Sequence, residues 1–262
     1  MKISLLYIFA LLLFLQPFLT KATASSKPEP TLKGKKVLFV YGGYKPHEPQ
    51  ECMEYFVPWL ESEGATVMVS DDLEIYTDSD LMDGIDLILQ VWTLEKISGP
   101  QIEGLSRAIK KGAGFAGWHG GIGDSFRDNT KFQFIAGGQF VAHPGGIVDY
   151  KVKIVDKKDP VTKGIKDFAM KSEQYYMHVD PNVKVLATTS FTGDHEAWIE
   201  DCVIPVMWKK QYGKGRVFYS SLGHKLEHLK TPNALETIKR GIRWAGESKY
   251  HAPEKWRKSV YR

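Results

Sequence analysis

Gly112-Ala113-Gly114-Phe115-Ala116-Gly117-Trp118-His119-Gly120-Gly121 is the most informative stretch of this sequence. A short apolar strand of small residues runs into a histidine that is flanked by glycines. Because glycine lacks a Cβ atom, it allows a sharp turn from strand to helix and a close approach of backbone to ligand. This pattern predicts a nucleophile elbow whose tip is an imidazole, with no serine or cysteine there. A tight glycine turn with a surface histidine is the alternative interpretation.

The segments around this stretch alternate between apolar strands and amphipathic helices. Residues 36–41 (KVLFVY) form a continuous apolar run, which is typical of a strand buried on both faces of a parallel sheet. A helix is predicted over about 50–63, strands over 65–70 and 86–92, and a helix over 98–111. This order requires right-handed crossovers and predicts an α/β fold with a doubly wound, mainly parallel sheet flanked by helices.

The second half of the chain predicts an added antiparallel portion. Strands are expected over 148–155, 183–188, 203–208 and 216–221, and Tyr212-Gly213-Lys214-Gly215 has the composition of a hairpin turn between the last two. A helix with Leu235, Ile238 and Ile242 on one face then closes the domain.

The N-terminus has the pattern of a secretory signal peptide. Lys2 precedes the apolar residues 3–15, and Ala22-Thr23-Ala24 supplies a cleavage site near Ala24. A membrane anchor is the alternative, but the apolar run is shorter than the roughly 20 residues of a span. We therefore expect a periplasmic or secreted protein with no membrane span after cleavage. The expected division is a signal peptide (1–24), a linker (25–34), an α/β domain (35–248) and a C-terminal tail (249–262).

Composition and charge narrow the class of protein. The 262 residues are 43% hydrophobic, which suffices for one sizeable globular domain. The formal net charge of +4 falls by two when Lys2 and Lys21 leave with the signal peptide, and no basic run is interleaved with aromatics, so we expect no nucleic-acid partner. Cys52 and Cys202 could pair in an oxidising compartment, or remain two separate buried thiols.

Polar side chains follow several predicted strands at their carboxyl ends, where open α/β sheets bind their ligands. Three or four imidazoles and a carboxylate that converge there could hold a divalent metal such as Zn²⁺ through neutral nitrogens, or act as acid and base near neutral pH. No compact metal motif is present, so such a site would be assembled from distant loops. The residues concerned are His47, His119 and His224 after strands, with His143 and Glu173 on intervening loops.

Aromatic side chains near the same strand ends suggest a sugar site, because flat apolar rings beside polar groups suit the faces and hydroxyls of a sugar. They suit core packing equally well. The rings are Tyr44, Trp92, Trp118 and Tyr175, and Asp124 is the carboxylate nearest to the predicted elbow in the sequence. Neither cysteine lies at the elbow, which disfavours a cysteine nucleophile, and His195, His228 and His251 are expected to be solvated.

An ordered set of motifs resembles the ThuA-like (trehalose utilisation) family from about Lys36 to Glu247. The matching pieces are Tyr44-Lys45-Pro46-His47-Glu48, Gly117-Trp118-His119-Gly120-Gly121, Gly137-Gly138-Gln139-Phe140-Val141-Ala142-His143-Pro144, Glu173-Gln174-Tyr175-Tyr176, Pro205-Val206-Met207-Trp208 and Leu222-Gly223-His224. The resemblance implies a flavodoxin-like, class I glutamine amidotransferase-like fold. His119 stands where true amidotransferases carry cysteine, so glutaminase activity is not implied.

The resemblance also implies a role in carbohydrate metabolism, beside a sugar oxidoreductase, on trehalose-like disaccharides or glycosides oxidised at carbon 3. Under it we expect a sugar hydrolase, lyase or isomerase; a non-catalytic sugar-binding protein and a dehydrogenase partner are the alternatives. The expected residues are His119, Glu173 and His224 for catalysis, Tyr44, His47, Trp92, Trp118, Asp124 and Tyr175 for substrate, and His47, His119, His143 and His224 for a metal such as Zn²⁺.

Overall fold

A computed structural model describes residues 30–254. The predicted signal peptide, residues 25–29 of the predicted linker and residues 255–262 of the predicted tail lie outside this range. The strands are β1 (Lys36–Gly43), β2 (Thr66–Ser70), β3 (Leu87–Thr93), β4 (Gly114–Trp118), β5 (Gly138–Ala142), β6 (Ile147–Ile154), β7 (Phe168–Glu173), β8 (Tyr176–Val179), β9 (Lys184–Ser190), β10 (Val203–Tyr212) and β11 (Gly215–Ser220). The helices are α1 (Pro49–Ser62), α2 (Ser79–Gly84), α3 (Gly99–Lys111), α4 (Gly120–Gly123), α5 (Thr130–Ala136), α6 (Leu226–Leu229) and α7 (Pro232–Gly246).

Within the described residues, nine strands form one sheet in the order β2-β1-β3-β4-β11-β10-β9-β6-β7. The first five strands of this order, β2 to β11, run parallel to one another. From β11 onward each neighbouring pair is antiparallel. The prediction of a doubly wound, mainly parallel sheet with an added antiparallel portion is confirmed. Strand β7, which ends at Glu173 where a loop was expected, and a separate two-stranded sheet of β5 and β8 were not predicted.

Alternate residues of the central strands pack against helices on opposite faces of the sheet. Phe39 and Leu89 join the core that includes Phe56 of α1. Leu38 and Ile88 join a second core, which includes Leu105 of α3. Because both faces are covered, β3 and β4 are buried along their whole length. This two-sided burial explains why the sequence shows continuous apolar runs there instead of alternation.

The ends of the described chain pack against the domain. Leu32 is fully buried and belongs to the first core. The Tyr250 hydroxyl donates a hydrogen bond to Oδ1 of Asp86 at 3.0 Å. In the range 30–254 no helix is long and apolar enough to span a bilayer. Both cysteines are free thiols, with Cys52 buried in α1 and Cys202 half-buried.

A buried ion pair lies at the antiparallel end of the sheet. Nζ of Lys209 lies 2.5 Å from Oδ1 of Asp159, and both side chains are 1% exposed. Nζ of Lys184 lies 2.7 Å from the other oxygen of the same carboxylate. Burial by itself would raise the pKa of Asp159, but the two ammonium groups outweigh burial and hold that pKa below its ordinary value. Asp159 therefore ties Lys209 and Lys184 into the fold.

We expect Asp159→Asn to lower the free energy of unfolding by about 3 kcal/mol, because it leaves the Lys209 ammonium buried without a carboxylate. Urea denaturation at neutral pH checks this value. Since the folded-state pKa of Asp159 is depressed, the stability it contributes is present above its unfolded pKa and is lost as pH falls through the folded pKa. Asp83→Asn, at the exposed Lys111 pair, is the control and should hardly change the midpoint. Equal effects of the two variants would contradict the prediction.

Candidate functional site

His119 occupies the tip of a sharp turn between β4 and α4. Its backbone adopts φ 47° and ψ −135°, a positive φ that few residues with a side chain adopt. The His119 amide donates a hydrogen bond to the Ser220 carbonyl at 2.7 Å, and the Tyr219 hydroxyl donates to the His119 carbonyl at 3.0 Å. The strained turn is therefore held by the neighbouring strand β11. The residue is 1% exposed, so a surface histidine on a glycine turn is not what forms here.

The sheet brings the other candidate residues to the same edge. β1, β3, β4 and β11 are parallel, so the residues that follow them meet at their shared carboxyl edge. Four successive antiparallel pairings link β11 to β7, so β7 runs in the same direction as β11. Glu173, the last residue of β7, therefore faces this edge as well. Three strands separate β7 from β11, so the contact of Glu173 with His119 requires the antiparallel portion to curl over the parallel edge.

Glu173 lies between two imidazoles. Its Oε2 atom is 3.0 Å from Nε2 of His119, and its Oε1 atom is 3.1 Å from Nδ1 of His224. The His224 contact lacks the direction of a hydrogen bond, and among the described residues this buried Nδ1 has no hydrogen-bond partner. One carboxylate thus faces nitrogens that come from two separate loops.

His47 completes the group from the loop after β1. Its ring centroid lies 4.8 Å from that of His119 and 4.9 Å from that of His224. Its Nδ1 atom is 2.9 Å from Oγ1 of Thr93, the last residue of β3. A Cβ atom on Gly120 would lie 2.5 Å from the His47 ring, so the glycine after His119 makes room for this imidazole.

Ligand atoms of His47, His119, Glu173 and His224 all lie within 4.8 Å of one another. We call these four residues the histidine–glutamate cluster. His143 lies outside it: its Nε2 atom is 3.8 Å from Oε1 of Glu173, and 41% of its side chain is exposed. The structure thus brings together three of the four expected metal ligands with Glu173, and it places His143 at the rim.

The protonation of the cluster follows from burial and hydrogen bonds. Burial, reinforced by neighbouring imidazoles, lowers the pKa of His47 to about 3. Burial also lowers the pKa of His119, although Glu173 and the Ser221 carbonyl act in the opposite direction. For Glu173, burial raises the pKa, but His119 and His224 outweigh burial and the net pKa is lowered. At neutral pH the His47 imidazole is therefore neutral, and the Glu173 carboxylate is ionised.

The aromatic residues divide between the site and the core. Tyr175 packs against His119 with ring centroids 4.0 Å apart and ring planes tilted by 32°, and Tyr44 meets His47 edge-on at 5.0 Å and is 44% exposed. Trp118 is buried against Phe56, so the structure does not bring this predicted sugar contact to the site. β4 ends at Trp118, whose side chain packs into the first core, whereas the sharp turn after the strand places His119 in the site.

Trp92 and Asp124 are also engaged elsewhere. Trp92 belongs to the second core and donates a hydrogen bond from Nε1 to Glu95. Asp124 is buried and pairs through both carboxylate oxygens with Arg127. The structure therefore does not supply Asp124 as a free acid, nor Trp92 as an open stacking surface.

Three partners of the cluster were missed from the sequence. Thr93 contacts His47, the Ser221 carbonyl lies 2.9 Å from Nδ1 of His119, and Oγ of Ser172 accepts a hydrogen bond from the His224 amide at 3.1 Å. Oγ of Ser172 also lies 3.2 Å from Nδ1 of His228, so His228 is half-buried and not the solvated histidine that we expected. His195 and His251 are exposed as expected. The only signal for these partners is their place at the ends of strands.

Comparison with known proteins assigns the chain to a family. Residues 36–245 match the family ThuA, described as trehalose utilisation. A ThuA-like protein from Bacteroides uniformis ATCC 8492 is similar in structure, with a TM-score of 0.69, 16% identity, and coverage of 85% of this chain and 94% of that one. A second ThuA-like protein, from Parabacteroides merdae ATCC 43184, is similar with a TM-score of 0.67, 19% identity, and coverage of 85% of this chain and 93% of that one. No curated protein matches the chain. The chain belongs to the ThuA family.

Proposed function

We propose that this chain is an exported protein of carbohydrate metabolism, and that it acts on trehalose-like disaccharides or 3-keto glycosides at the histidine–glutamate cluster. The observation that carries the proposal is the buried contact between His119 and Glu173 at the carboxyl edge of the sheet, beside side chains that reach solvent. The trehalose utilisation family supports a sugar as the substrate class. Export rests on the signal-peptide pattern of residues 1–24.

The carboxylates near the cluster favour a keto glycoside over direct hydrolysis of trehalose. A two-carboxylate glycosidase needs an acid and a second carboxylate on opposite sides of the bond. Glu173 lies in the cluster, whereas Asp124 is held by Arg127. A ketone at carbon 3 removes the need for that pair, because it acidifies the proton on carbon 2.

The proposed reaction is a β-elimination. A base removes the proton from carbon 2, the electron pair forms the double bond between carbons 1 and 2, and the glycosidic oxygen leaves carbon 1 and takes up a proton. The oxygen on carbon 3 gains negative charge on the way and needs a nearby positive group or donor. A keto glycoside arises by oxidation of a hydroxyl, so we expect a sugar oxidoreductase to supply the substrate.

Burial distinguishes the residues that hold the cluster from those that meet the sugar. His119 is 1% exposed, and both of its nitrogens contact protein atoms, so its part is to hold the centre in place. Tyr44 and the His143 side chain reach solvent at the rim, where their ring faces and polar atoms can contact a bound sugar.

Incubating the purified protein with trehalose and, separately, with 3-keto-trehalose tests the proposal. We expect release of a free sugar from the keto form, detected by chromatography, and at most slow release from trehalose. Calorimetry with the same two sugars completes the test. Binding without turnover would identify a sugar-binding protein and not an enzyme. Absence of both binding and turnover for both sugars would overturn the proposal.

A further inference from the structure

We infer that His47, His119, Glu173 and His224 form the binding site of one divalent transition-metal ion, with Zn²⁺ as the reference ion. This inference rests on the geometry of the cluster and does not depend on the sugar proposed above. Three imidazoles and one carboxylate supply the nitrogen and oxygen ligands that Zn²⁺, Fe²⁺, Co²⁺ and Ni²⁺ accept.

The distances suit a shared ion. Ligand atoms that each lie 2.0–2.2 Å from a tetrahedral zinc ion stand about 3.5 Å apart. In the cluster, Nε2 of His119 and Nδ1 of His224 lie 3.0 and 3.1 Å from the two oxygens of Glu173. All four ligand atoms lie within 4.8 Å of one another. Little movement is therefore needed to place one ion among them.

The outer hydrogen bonds orient the rings toward a common point. The Ser221 carbonyl can only accept, so Nδ1 of His119 carries a proton in this 2.9 Å hydrogen bond, and Nε2 is the ring nitrogen that faces Glu173. Thr93 engages Nδ1 of His47, which leaves Nε2 as the nitrogen available to a ligand. Metal-bound histidines are typically held in this way, by a hydrogen bond at the other ring nitrogen.

These hydrogen bonds leave the cluster short of a cation. With Nδ1 of His119 bonded to the Ser221 carbonyl, its Nε2 atom and the Glu173 oxygen at 3.0 Å need a proton or a cation between them. A proton between His119 and Glu173 would relieve this contact, but the buried Nδ1 of His224 would still lack a hydrogen-bond partner among the described residues. One divalent ion satisfies both contacts and can also bind His47.

A divalent ion would give this site a Lewis acid, which stabilises negative charge on a sugar oxygen. His143 lies at the rim and outside the donor set, with its nitrogen 3.8 Å from Glu173. His143 is therefore the matched control, because its imidazole lies beside the Glu173 carboxylate but is not expected to bind the ion.

Titration of chelator-treated protein with Co²⁺, followed by visible absorption, tests the inference. The wild-type protein should bind one equivalent and develop the bands of a nitrogen- and oxygen-coordinated ion. His224→Ala and His47→Ala should each weaken binding at least 100-fold, whereas His143→Ala and the distant His251→Ala should leave affinity and stoichiometry unchanged. Thr93→Val, which keeps every ligand, should weaken binding about 10- to 100-fold. Its circular dichroism should match that of the wild type.

Absence of Co²⁺ and Zn²⁺ binding by the wild type at millimolar concentration would overturn the inference, as would a loss in His143→Ala equal to that in His224→Ala. Normal metal binding by a protein that turns over no sugar would keep the inference and count against the proposed function. Turnover by metal-free protein at the full rate would keep the proposed function and overturn a catalytic part for the ion.

Discussion

Glu173→Gln is expected to stabilise the metal-free protein and to remove the extra stability that a divalent ion confers. The prediction assumes a neutral His119 ring, in which Nδ1 donates to the Ser221 carbonyl and Nε2 and the Glu173 carboxylate are two acceptors 3.0 Å apart. A glutamine amide has nearly the same shape and can donate a hydrogen bond to that nitrogen, which is worth about 1 kcal/mol. The same change removes the anionic ligand, so saturating Zn²⁺ should no longer add the roughly 4 kcal/mol expected at 1,000 times its Kd.

Urea denaturation of chelator-treated and Zn²⁺-loaded protein measures both effects. Glu247→Gln is the matched control, because Oε2 of Glu247 contacts His251 at 3.1 Å far from the cluster. It should leave the Zn²⁺-dependent stabilisation intact. If the cluster instead holds a charged imidazolium beside the carboxylate, Glu173→Gln will lower the stability of the metal-free protein by about 3 kcal/mol or more. The sign of the change therefore shows whether the metal-free protein holds a proton between His119 and Glu173, and the loss of the Zn²⁺-dependent stabilisation tests the metal site.

His119→Ala is expected to lower kcat on the keto glycoside by about 100-fold, because it removes a side chain that holds the proposed centre in place. The substitution removes one side chain of the cluster and also the ring against which Tyr175 packs. Steady-state kinetics with excess Zn²⁺ measures the loss, and His251→Ala serves as the control histidine. His119→Gln fills more of the buried space and shows whether the loss follows from unfolding. A rate near that of the wild type in either folded variant would contradict the part of His119 in holding the catalytic centre.

The fold could be predicted because its signals are local. Small residues before His119 indicate a strand that packs closely and turns sharply, and the apolar runs of β1 and β3 indicate burial on both faces. Parallel strands end at one edge, so chain order alone placed His47, His119 and His224 together. β5 and β8 escaped prediction because they are short and only partly buried, which leaves little periodicity to detect.

The composition of the site could be predicted only in part. The residue types of Trp92, Trp118 and Asp124 predict contacts with substrate. In the structure both tryptophans pack into the cores, and the Asp124 carboxylate is paired with Arg127. Glu173 reaches the cluster through the curl of an antiparallel portion whose pairing is non-local. Thr93 and Ser221 act through one hydrogen bond each, for which a sequence pattern gives no indication beyond their place after a strand.

Anomalous scattering from a crystal grown with Zn²⁺, measured on both sides of the zinc absorption edge, tests the metal centre most directly. We expect one strong peak about 2.0–2.2 Å from Nε2 of His47, Nε2 of His119, Nδ1 of His224 and a carboxylate oxygen of Glu173. His143 should lie outside bonding distance of that peak. A crystal in which zinc occupies other positions while a water molecule stands among these four side chains would contradict the assignment.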